Sequence, residues 1–304
     1  MKKTTKGLLL AVIIICIALC AIFSMAAAAE DTTITGASFS QTEYFDQERN
    51  MSPTGNITAE AEIWLDPNGT YVNTPAIIFG NYKDNNTKGL DFLIRDGKYV
   101  ELYRRISSGA TQLRFSTNVR ELCTGTSDEP GFVKISVSVN TADGAAILYV
   151  NGEKEESKTS VWKDENAFAA LENPFRIGGD LRSTASNTKY FDGQIKNVAL
   201  YNDVRTAEEV AADAAKSNFS VDKTDANLLF AYDLTDTSVK GMLKDLSKYK
   251  NNAKNPNTYV EPTADNGFSF TAAMGYDMKK AITPNGSMTF EAFTTLPTDN
   301  NRCG

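Results

Sequence analysis

Two glutamates on one predicted strand are the groups best placed for acid–base chemistry. In GNITAEAEIWL the apolar residues alternate with polar ones, so Glu60 and Glu62 face the same side of the strand. Their Cα atoms would lie about 6.6–6.8 Å apart, near the roughly 5–5.5 Å that separates the two carboxyl groups of a retaining glycosidase. The same pattern also fits a charged row on a solvated strand, and we favour this second interpretation.

The composition removes several classes of enzyme. The chain has no histidine, which excludes Ser-His-Asp and Cys-His catalysis and every zinc site that contains histidine. Outside the N-terminal apolar run the cysteines are Cys123 and Cys303, too few for a zinc site of four thiolates. A disulfide between them is the alternative to the two separate thiols that we expect. Carboxylate, lysine or tyrosine chemistry remains, as does calcium held by oxygen ligands.

The N-terminal segment, residues 1–29, has the pattern of a secretory signal peptide. Three lysines precede the apolar run 8–23, and the small residues of SMAAAA follow it. We expect cleavage after Ala29; an uncleaved membrane anchor is the alternative, since about 16 apolar residues are marginal for a span. Without those lysines the net charge falls from −7 to −10, which argues against a nucleic-acid partner.

Short strands with period-two alternation dominate the rest of the chain. The pairs Asp96-Gly97 and Asn151-Gly152 are typical of tight hairpin turns. A capping box formed by Thr206 and Glu209 begins a clear helix. These signals predict an all-β antiparallel sandwich with one short C-terminal helix. In GFVKISVSVN the residues predicted to face the core are Val133, Ile135, Val137 and Val139.

A weak internal repeat predicts a second, incomplete domain. GNITAEAEIWL at 55–65 aligns without gaps with GSMTFEAFTTL at 286–296, and five of eleven positions coincide. The second copy stops soon after its strand, at Gly304. We therefore expect a chain that ends early in its second domain.

The region after residue 56 resembles a known family. FDGQIKNVALYNDVRTAEEV is similar to the closing signature of laminin G-like jelly-roll domains, which belong to the concanavalin A-like lectin/glucanase superfamily. ISVSVNTADGAAILYVNGE matches the central strand pair of these domains, and FRIGGD matches a later strand start. The resemblance covers Ile57 to Asp213 in the expected order and implies the jelly-roll fold. The residues that fill the closing signature are Phe191, Gly193, Ile195, Val198 and Tyr201.

The segment LLFAYDLTDTSVKGMLKDLSKYKNNA resembles the opening of another such domain. It contains the pattern D-x-S-x-x-x-N-N, which the start of the first domain lacks. The expected organisation is a signal peptide at 1–29, a laminin G-like domain at 30–218 and a truncated second copy at 219–304. Residues after about 220 should then pack poorly or lean on the first domain, because an unfinished sheet leaves an open edge.

The resemblance implies where ions could bind and argues against catalysis. Related domains often carry one calcium at a rim, and the matching positions here are Asp245 and Asn251, with Asp192 as a guess in the first domain. The glucanase motif of the superfamily is Glu-x-Asp-x-x-Glu, whereas this chain reads EAEIWLD. We therefore expect no catalytic residues in this chain and, as cofactor, calcium at most.

The predicted function is recognition outside the cell. We expect a non-catalytic module of a larger bacterial protein, secreted or on the cell surface, that binds a glycan or an extracellular surface protein. The alternatives are a glycoside hydrolase that uses Glu60 and Glu62, and a spacer for a downstream hydrolase or phosphoesterase. The candidate ligand-binding residues are Asn81, Tyr82, Asp84, Asn86, Arg104 and Trp162.

Overall fold

A computed structural model gives the fold of the central part of the chain. The predicted signal peptide, the second copy of the repeat, Asn86 and Cys303 lie outside the described residues. The residues that the structure describes are 36–39, 43–69, 75–85, 87–106, 109–159, 162, 171–182, 189–236 and 238–259.

Strands dominate these residues. One helix among them, α1, spans Ala207–Ala214. A single 3₁₀ turn occupies Val119–Leu122. The strands are β1 (Ala37–Ser38), β2 (Phe45–Gln47), β3 (Ile57–Trp64), β4 (Ala76–Gly80), β5 (Gly89–Arg95), β6 (Tyr99–Ile106), β7 (Gly109–Asn118), β8 (Thr124–Gly125), β9 (Pro130–Gly131), β10 (Val133–Asn140), β11 (Ala145–Val150), β12 (Glu153–Lys158), β13 (Arg176–Ile177), β14 (Gln194–Tyr201), β15 (Leu228–Asp233), β16 (Met242–Leu243) and β17 (Ala253–Lys254).

The strands form two main antiparallel sheets. The first sheet has the order β1-β14-β3-β10-β11-β12, with β15 also paired to β14. The second sheet has the order β16-β17-β2-β13-β4-β5-β6-β7. Strands β8 and β9 make a separate two-stranded ribbon. The predicted all-β antiparallel jelly-roll sandwich with a short helix is confirmed.

The core lies between the two sheets and is filled by alternate residues of each strand. On β3, Ile57, Ala59 and Ile63 are fully buried. The four residues of β10 that the sequence places inward are at most 1 % exposed and belong to the same cluster. Period-two alternation therefore identified the inner face correctly, because successive side chains of a strand point to opposite sides.

The local signals in the sequence correspond to the observed turns and cap. Both residues of each predicted hairpin pair have positive φ, 54° and 67° at Asp96-Gly97 and 50° and 88° at Asn151-Gly152. The hydroxyl of Thr206 accepts from the Glu209 N–H at 3.2 Å, and the Glu209 carboxylate accepts from the Thr206 N–H at 2.8 Å. These contacts need only residues close in sequence, which is why the sequence predicts them.

The segment after α1 contributes strands to both sheets. β15 pairs with β14 from Asn197 to Tyr201, while β1 pairs with the start of β14 on the same side. Phe230 and Tyr232 of β15 are fully buried in the core, and β17 pairs with β2. The predicted boundary at 218/219 thus precedes strands that the first domain uses, and the division into two domains stays a prediction.

Within the described ranges, no helix has the length and apolar character needed to cross a membrane.

Candidate functional site

The outer face of the second sheet carries a row of residues in register across seven strands. Residues paired directly across a sheet point to the same face, so the row forms one continuous strip. The strip is largely polar, whereas the opposite face of the same strands fills the core. From β17 to β7, the residues of the row are Lys254, Asp46, Arg176, Gly80, Asp91, Tyr103 and Gln112.

Gly80 makes room at the centre of this row for two neighbouring side chains. A Cβ atom at Gly80 would lie 2.2 Å from the Asp91 Oδ1 and 3.2 Å from the Asp180 Cβ. The side chain of Asp91 and the start of that of Asp180 therefore occupy the space above the glycine. A larger residue here would displace both aspartates.

Asp91, Asp180 and Arg182 form a buried cluster above Gly80. Both carboxylates have no exposed surface, and the Arg182 guanidinium donates from Nη2 to the Asp91 Oδ2 at 2.7 Å and from Nε to the Asp180 Oδ2 at 2.7 Å. The Tyr82 N–H donates to the Asp91 Oδ1 at 3.2 Å. Burial and the neighbouring Asp180 raise the pKa of Asp91 well above its usual range, and the positive charge of Arg182 opposes this.

Aromatic rings flank the cluster on both sides. The Arg182 guanidinium lies 4.0 Å from the centre of the Tyr82 ring, and the Tyr82 and Tyr103 rings are 5.3 Å apart. On the other side, Tyr44 and Tyr190 stack with their ring centres 6.0 Å apart. Tyr44, Tyr103 and Tyr190 are half-exposed, so parts of three rings are open to solvent.

Arginine–carboxylate pairs fix the groups around these rings. Arg176 lies 3.9 Å from the Tyr44 ring centre and makes a two-pronged pair with Asp46 at 2.6 and 2.9 Å. Paired arginines of this kind hold a fixed geometry. We call the surface formed by Tyr44, Tyr103, Tyr190, Arg176 and the Asp91–Asp180–Arg182 cluster the tyrosine face.

The predicted loop 80–89 borders the tyrosine face, and its residues differ in role. Tyr82 is 3 % exposed, and its hydroxyl donates to the Asn85 Oδ1 at 2.6 Å. Asn81 is fully buried, where it donates to the Asn173 carbonyl at 3.0 Å and accepts from the Leu90 N–H at 2.8 Å. Asp84 lies on an exposed turn. Tyr82 contacts the cluster through its ring and its backbone N–H.

Arg104 and Trp162 lie apart from the tyrosine face. Arg104 alternates with Tyr103 on β6 and therefore points to the opposite side of the sheet. It is 5 % exposed, and its guanidinium lies 5.0 Å from the ring centre of Trp162, which is 7 % exposed. The two residues form a buried cation–π pair, so the structure does not bring them together with Tyr82.

The predicted calcium ligands Asp245 and Asn251 take part in a hydrogen-bonded turn. The Asp245 carboxylate accepts from the N–H groups of Ala231 (3.1 Å), Ser247 (2.9 Å) and Asn251 (2.8 Å), and from the Ser247 hydroxyl (2.6 Å). Asn251 uses both ends of its amide on the backbone of Arg49, at 2.9 and 2.8 Å. The motif thus ties the turn to β15 and to the chain after β2.

Asp192, the third predicted calcium ligand, is exposed beside Gly193. No group of three or more His, Cys, Asp or Glu side chains that could hold a metal ion occurs among the described residues. Calcium binding stays a prediction. Position 193 requires glycine for a structural reason, since a Cβ atom there would lie 2.2 Å from the Trp64 carbonyl oxygen.

Glu60 and Glu62 lie on the outer face of the first sheet, close to α1. Glu60 accepts from the Ser136 hydroxyl at 3.2 Å and pairs with Arg205 at 3.5 Å. Glu62 accepts from the Asn197 amide at 2.8 Å and from the Lys196 ammonium at 3.1 Å. Both carboxylates line a small cleft that α1 and the residues after it partly cover. The cleft encloses about 50 Å³, the scale of a few water molecules.

The environment of Glu60 predicts a pH-dependent stability. Burial is the main cause that raises the pKa of Glu60 from 4.5 to about 7, although Arg205 lowers it. Between these pH values the folded state keeps a proton that the unfolded state has lost, so stability falls as pH rises towards 7. We expect Glu60→Gln to remove up to roughly 3 kcal/mol of this fall. Urea unfolding at several pH values between 4.5 and 8 measures it.

The control for this prediction is Glu155→Gln, which changes an exposed glutamate on β12. It should leave the pH dependence of the unfolding free energy unchanged. A slope in Glu60→Gln equal to that of the wild type would contradict the prediction.

The sequence analysis missed most of the tyrosine face. Asp91 and Tyr103 stand at the outward positions of strands whose inward residues are apolar, and this alternation could have pointed to them. Tyr44, Arg176 and Tyr190 carry no such signal, because their strands are very short or absent.

The fold and this face define a two-sheet jelly-roll sandwich with a polar, aromatic outer surface. The laminin G-like family model, described as concanavalin A-like lectin/glucanases superfamily, matches residues 39–211. The match covers more than half of the chain, which therefore belongs to this family. A search of curated proteins found no match.

Several solved structures are similar to this chain. A proposed carbohydrate-binding protein from Bacteroides ovatus is 18 % identical with a TM-score of 0.54, over 74 % of this chain and 59 % of that one. The CBM40 of the Ruminococcus gnavus IT-sialidase, bound to α2,6-sialyllactose, is 15 % identical with a TM-score of 0.42, over 59 % and 95 % of the two chains. A heptameric pentraxin from Limulus polyphemus is 12 % identical with a TM-score of 0.41, over 59 % and 79 %.

Proposed function

We propose that this protein is a non-catalytic module that binds glycans through the tyrosine face. The rings of Tyr44, Tyr103 and Tyr190 present flat apolar surface with a polar edge, which suits the apolar faces of sugar rings. Arginine and carboxylate groups beside them supply the few oriented polar contacts that give a site its specificity. Membership of a superfamily described by its lectins and glucanases supports the same proposal.

The observation that carries the proposal is the rigidity of the polar groups between the rings. Arg182 is held by two buried carboxylates and lies against Tyr82, and Arg176 is held by Asp46 against Tyr44. A ligand would lose little free energy in ordering such groups, and preorganised sites gain affinity for this reason. Gly80 has no side chain and so leaves room for the carboxylates that hold Arg182.

The alternative of a glycoside hydrolase receives less support. The Glu60 and Glu62 carboxylates each accept hydrogen bonds from neighbouring side chains, on the sheet opposite to the tyrosine face. The hydrolase alternative and the role of a spacer for a downstream enzyme stay predictions. The hydrolase alternative predicts that glycan binding survives changes in the tyrosine face, and the spacer alternative predicts no glycan binding.

We place the module outside a bacterial cell, within a larger protein, on the basis of the signal-like N-terminal sequence. A glycan of the surroundings is the favoured ligand, and an extracellular surface protein is the other. A glycan screen run with calcium and with a chelator tests ligand and cofactor together.

Replacement of Tyr103 tests the proposed face. Tyr103→Ala removes a half-exposed ring beside Arg182, and the loss of one aromatic contact is expected to weaken binding about tenfold. Titration calorimetry with the strongest hit of the glycan screen measures the change in Kd.

Tyr99→Ala is the matched control. Tyr99 lies on the same strand four residues away, about 13 Å along β6, so its loss should leave Kd unchanged. Equal effects of the two variants, or no binding of any glycan by the wild type, would contradict the proposed function.

A further inference from the structure

Lys189 lies at the border of the tyrosine face. The Ile77 N–H of β4 donates to the Lys189 carbonyl at 3.4 Å, and the Phe191 N–H donates to the Gly178 carbonyl at 3.0 Å. These bonds place the segment from Lys189 to Phe191 along β4 and the end of β13, next to the Asp91–Asp180–Arg182 cluster. The ring of Tyr190 in this segment stacks on Tyr44.

The ammonium group of Lys189 is half-buried without a fixed partner. Among the residues that the structure describes, it makes no hydrogen bond or ion pair. Burial lowers the pKa of Lys189, and the positive charges of Arg182 and Arg95 lower it further, while Asp180 and Asp91 oppose them. The Lys189 ammonium is therefore partly desolvated and lies among charged groups of both signs.

The other charged groups around Lys189 are already paired. Glu101, which is fully buried, accepts from Arg95 at 2.6 Å and from Arg114 at 2.8 Å. Arg176 pairs with Asp46, and Arg182 pairs with both aspartates of the cluster. Arg114 also lies 3.4 Å from the Asp96 carboxylate. The arginines around Lys189 therefore all have carboxylate partners, and Lys189 is the cation beside them that makes no ion pair among the described residues.

We infer that the glycan bound by the tyrosine face carries an anionic substituent, a carboxylate or a sulfate ester, that pairs with the Lys189 ammonium. The inference rests on the proposed function and adds the class of ligand. A half-buried ammonium without a partner has lost part of its hydration, so an incoming anion forms a charge-assisted hydrogen bond at a reduced desolvation cost. The paired arginines then orient the sugar, and the lysine selects its charge.

Matched pairs of ligands test the inference on the full chain. Oligosaccharides of galacturonate and of glucuronate are compared with their carboxyl-reduced forms, which keep the sugar rings and lose the charge, and with sulfated galactan oligomers. We expect an anionic form to bind about tenfold more tightly than its neutral counterpart at low salt. The preference should shrink when sodium chloride rises from about 50 to 500 mM. Comparison of the carboxylated with the sulfated oligosaccharides shows which anion the site prefers.

Lys189→Met assigns the selectivity to the lysine. Methionine keeps an unbranched stem and removes the charge, so the variant should bind the anionic and neutral forms equally. Lys154→Met, on the exposed edge strand β12, removes one charge far from the face and should keep the preference. Circular dichroism and the urea midpoint show whether both variants are folded.

The outcomes separate this inference from the proposed function. Equal affinity of the wild type for acid and neutral forms, with binding lost in Tyr103→Ala, would overturn the anionic ligand and keep the glycan site. An unchanged preference in Lys189→Met would also overturn the role of Lys189. Absence of binding to all of these oligosaccharides and to the wider screen would overturn both.

Discussion

Replacement of Phe230 by alanine is expected to destabilise the sandwich by about 3–5 kcal/mol. Phe230 of β15 is fully buried, and its ring centre lies 5.4 Å from those of Phe79 and Phe175. Phe79 lies on β4 of the opposite sheet, and Phe175 directly precedes β13 of that sheet. The loss of this ring leaves a cavity among aromatic residues that cannot easily collapse. Urea unfolding of the full chain, followed by tryptophan fluorescence, measures the change.

Phe219→Ala is the matched control for Phe230. Like Phe230, Phe219 comes after α1 in the chain, but it is only partly buried, against a small separate cluster. Its replacement should therefore lower the free energy of unfolding clearly less. The comparison also tests the domain boundary predicted at 218/219. If Phe230→Ala leaves the unfolding of the main transition unchanged, residues 228–233 do not belong to the first domain and the strand pairing of β15 with β14 is contradicted.

Arg182→Met is expected to have an effect of similar size, about 3–5 kcal/mol, because it leaves two buried carboxylates without their cation. Asp91 and Asp180 have no exposed surface, and Arg182 is the guanidinium that both accept from. Methionine can replace the packing of the side chain against Tyr82 but not its charge. Thermal and urea unfolding at pH 7 measure the loss, and ligand binding should fall with it.

Two further variants make this prediction sharper. Arg114→Met removes an arginine from the same sheet whose side chain is 40 % exposed and whose partner Glu101 keeps Arg95, so it should cost about 1 kcal/mol or less. Asp91→Asn combined with Arg182→Met removes one of the two buried carboxyl groups that Arg182 joins and should recover part of the loss. Equal costs for Arg182→Met and Arg114→Met would show that the cluster does not depend on its charge pairing.

The parts of the fold that the sequence predicts are those set by neighbours along the chain. Alternation in β3 and β10 identifies the inner face, positive φ at Asn151-Gly152 makes a hairpin, and Thr206 caps α1. Each of these signals is contained within a dozen residues. The sheet to which a strand belongs, in contrast, depends on pairings between distant segments.

The tyrosine face could not be predicted because it is formed by the pairing register between strands that are distant in sequence. Asp46, Arg176 and Gly80 are far apart in sequence, and only the order β2-β13-β4 sets them side by side. β13, which joins them, has two residues and no detectable period. In the predicted loop 80–89, Tyr82 contacts the site whereas the Asn81 side chain bonds to buried backbone, since sequence could identify polar residues near a turn but not the direction in which each one points.

The pattern D-x-S-x-x-x-N-N makes contacts in the structure that the sequence did not predict. The sequence places it at the start of a new domain, and its Asp245 and Asn251 were expected to hold calcium. In the structure, Asp245 binds the backbone of Ala231 on β15, and Asn251 binds the backbone of Arg49 after β2. The side chains that the resemblance assigns to calcium satisfy buried main-chain groups and join the segment 228–252 to the preceding sandwich, and calcium binding stays a prediction.

The border of β14 that β1 and β15 share has a consequence for folding during synthesis. Half of that border is filled by β15, and the hydrogen bond between Gln47 and Tyr232 connects residues 185 positions apart. During synthesis the hydrophobic interior stays open on one side until residue 233 has left the ribosome. Non-local β pairing of this kind is slow, on the order of milliseconds to seconds, so the partners of Phe230 stay exposed in the nascent chain during this interval, in which aggregation competes with folding.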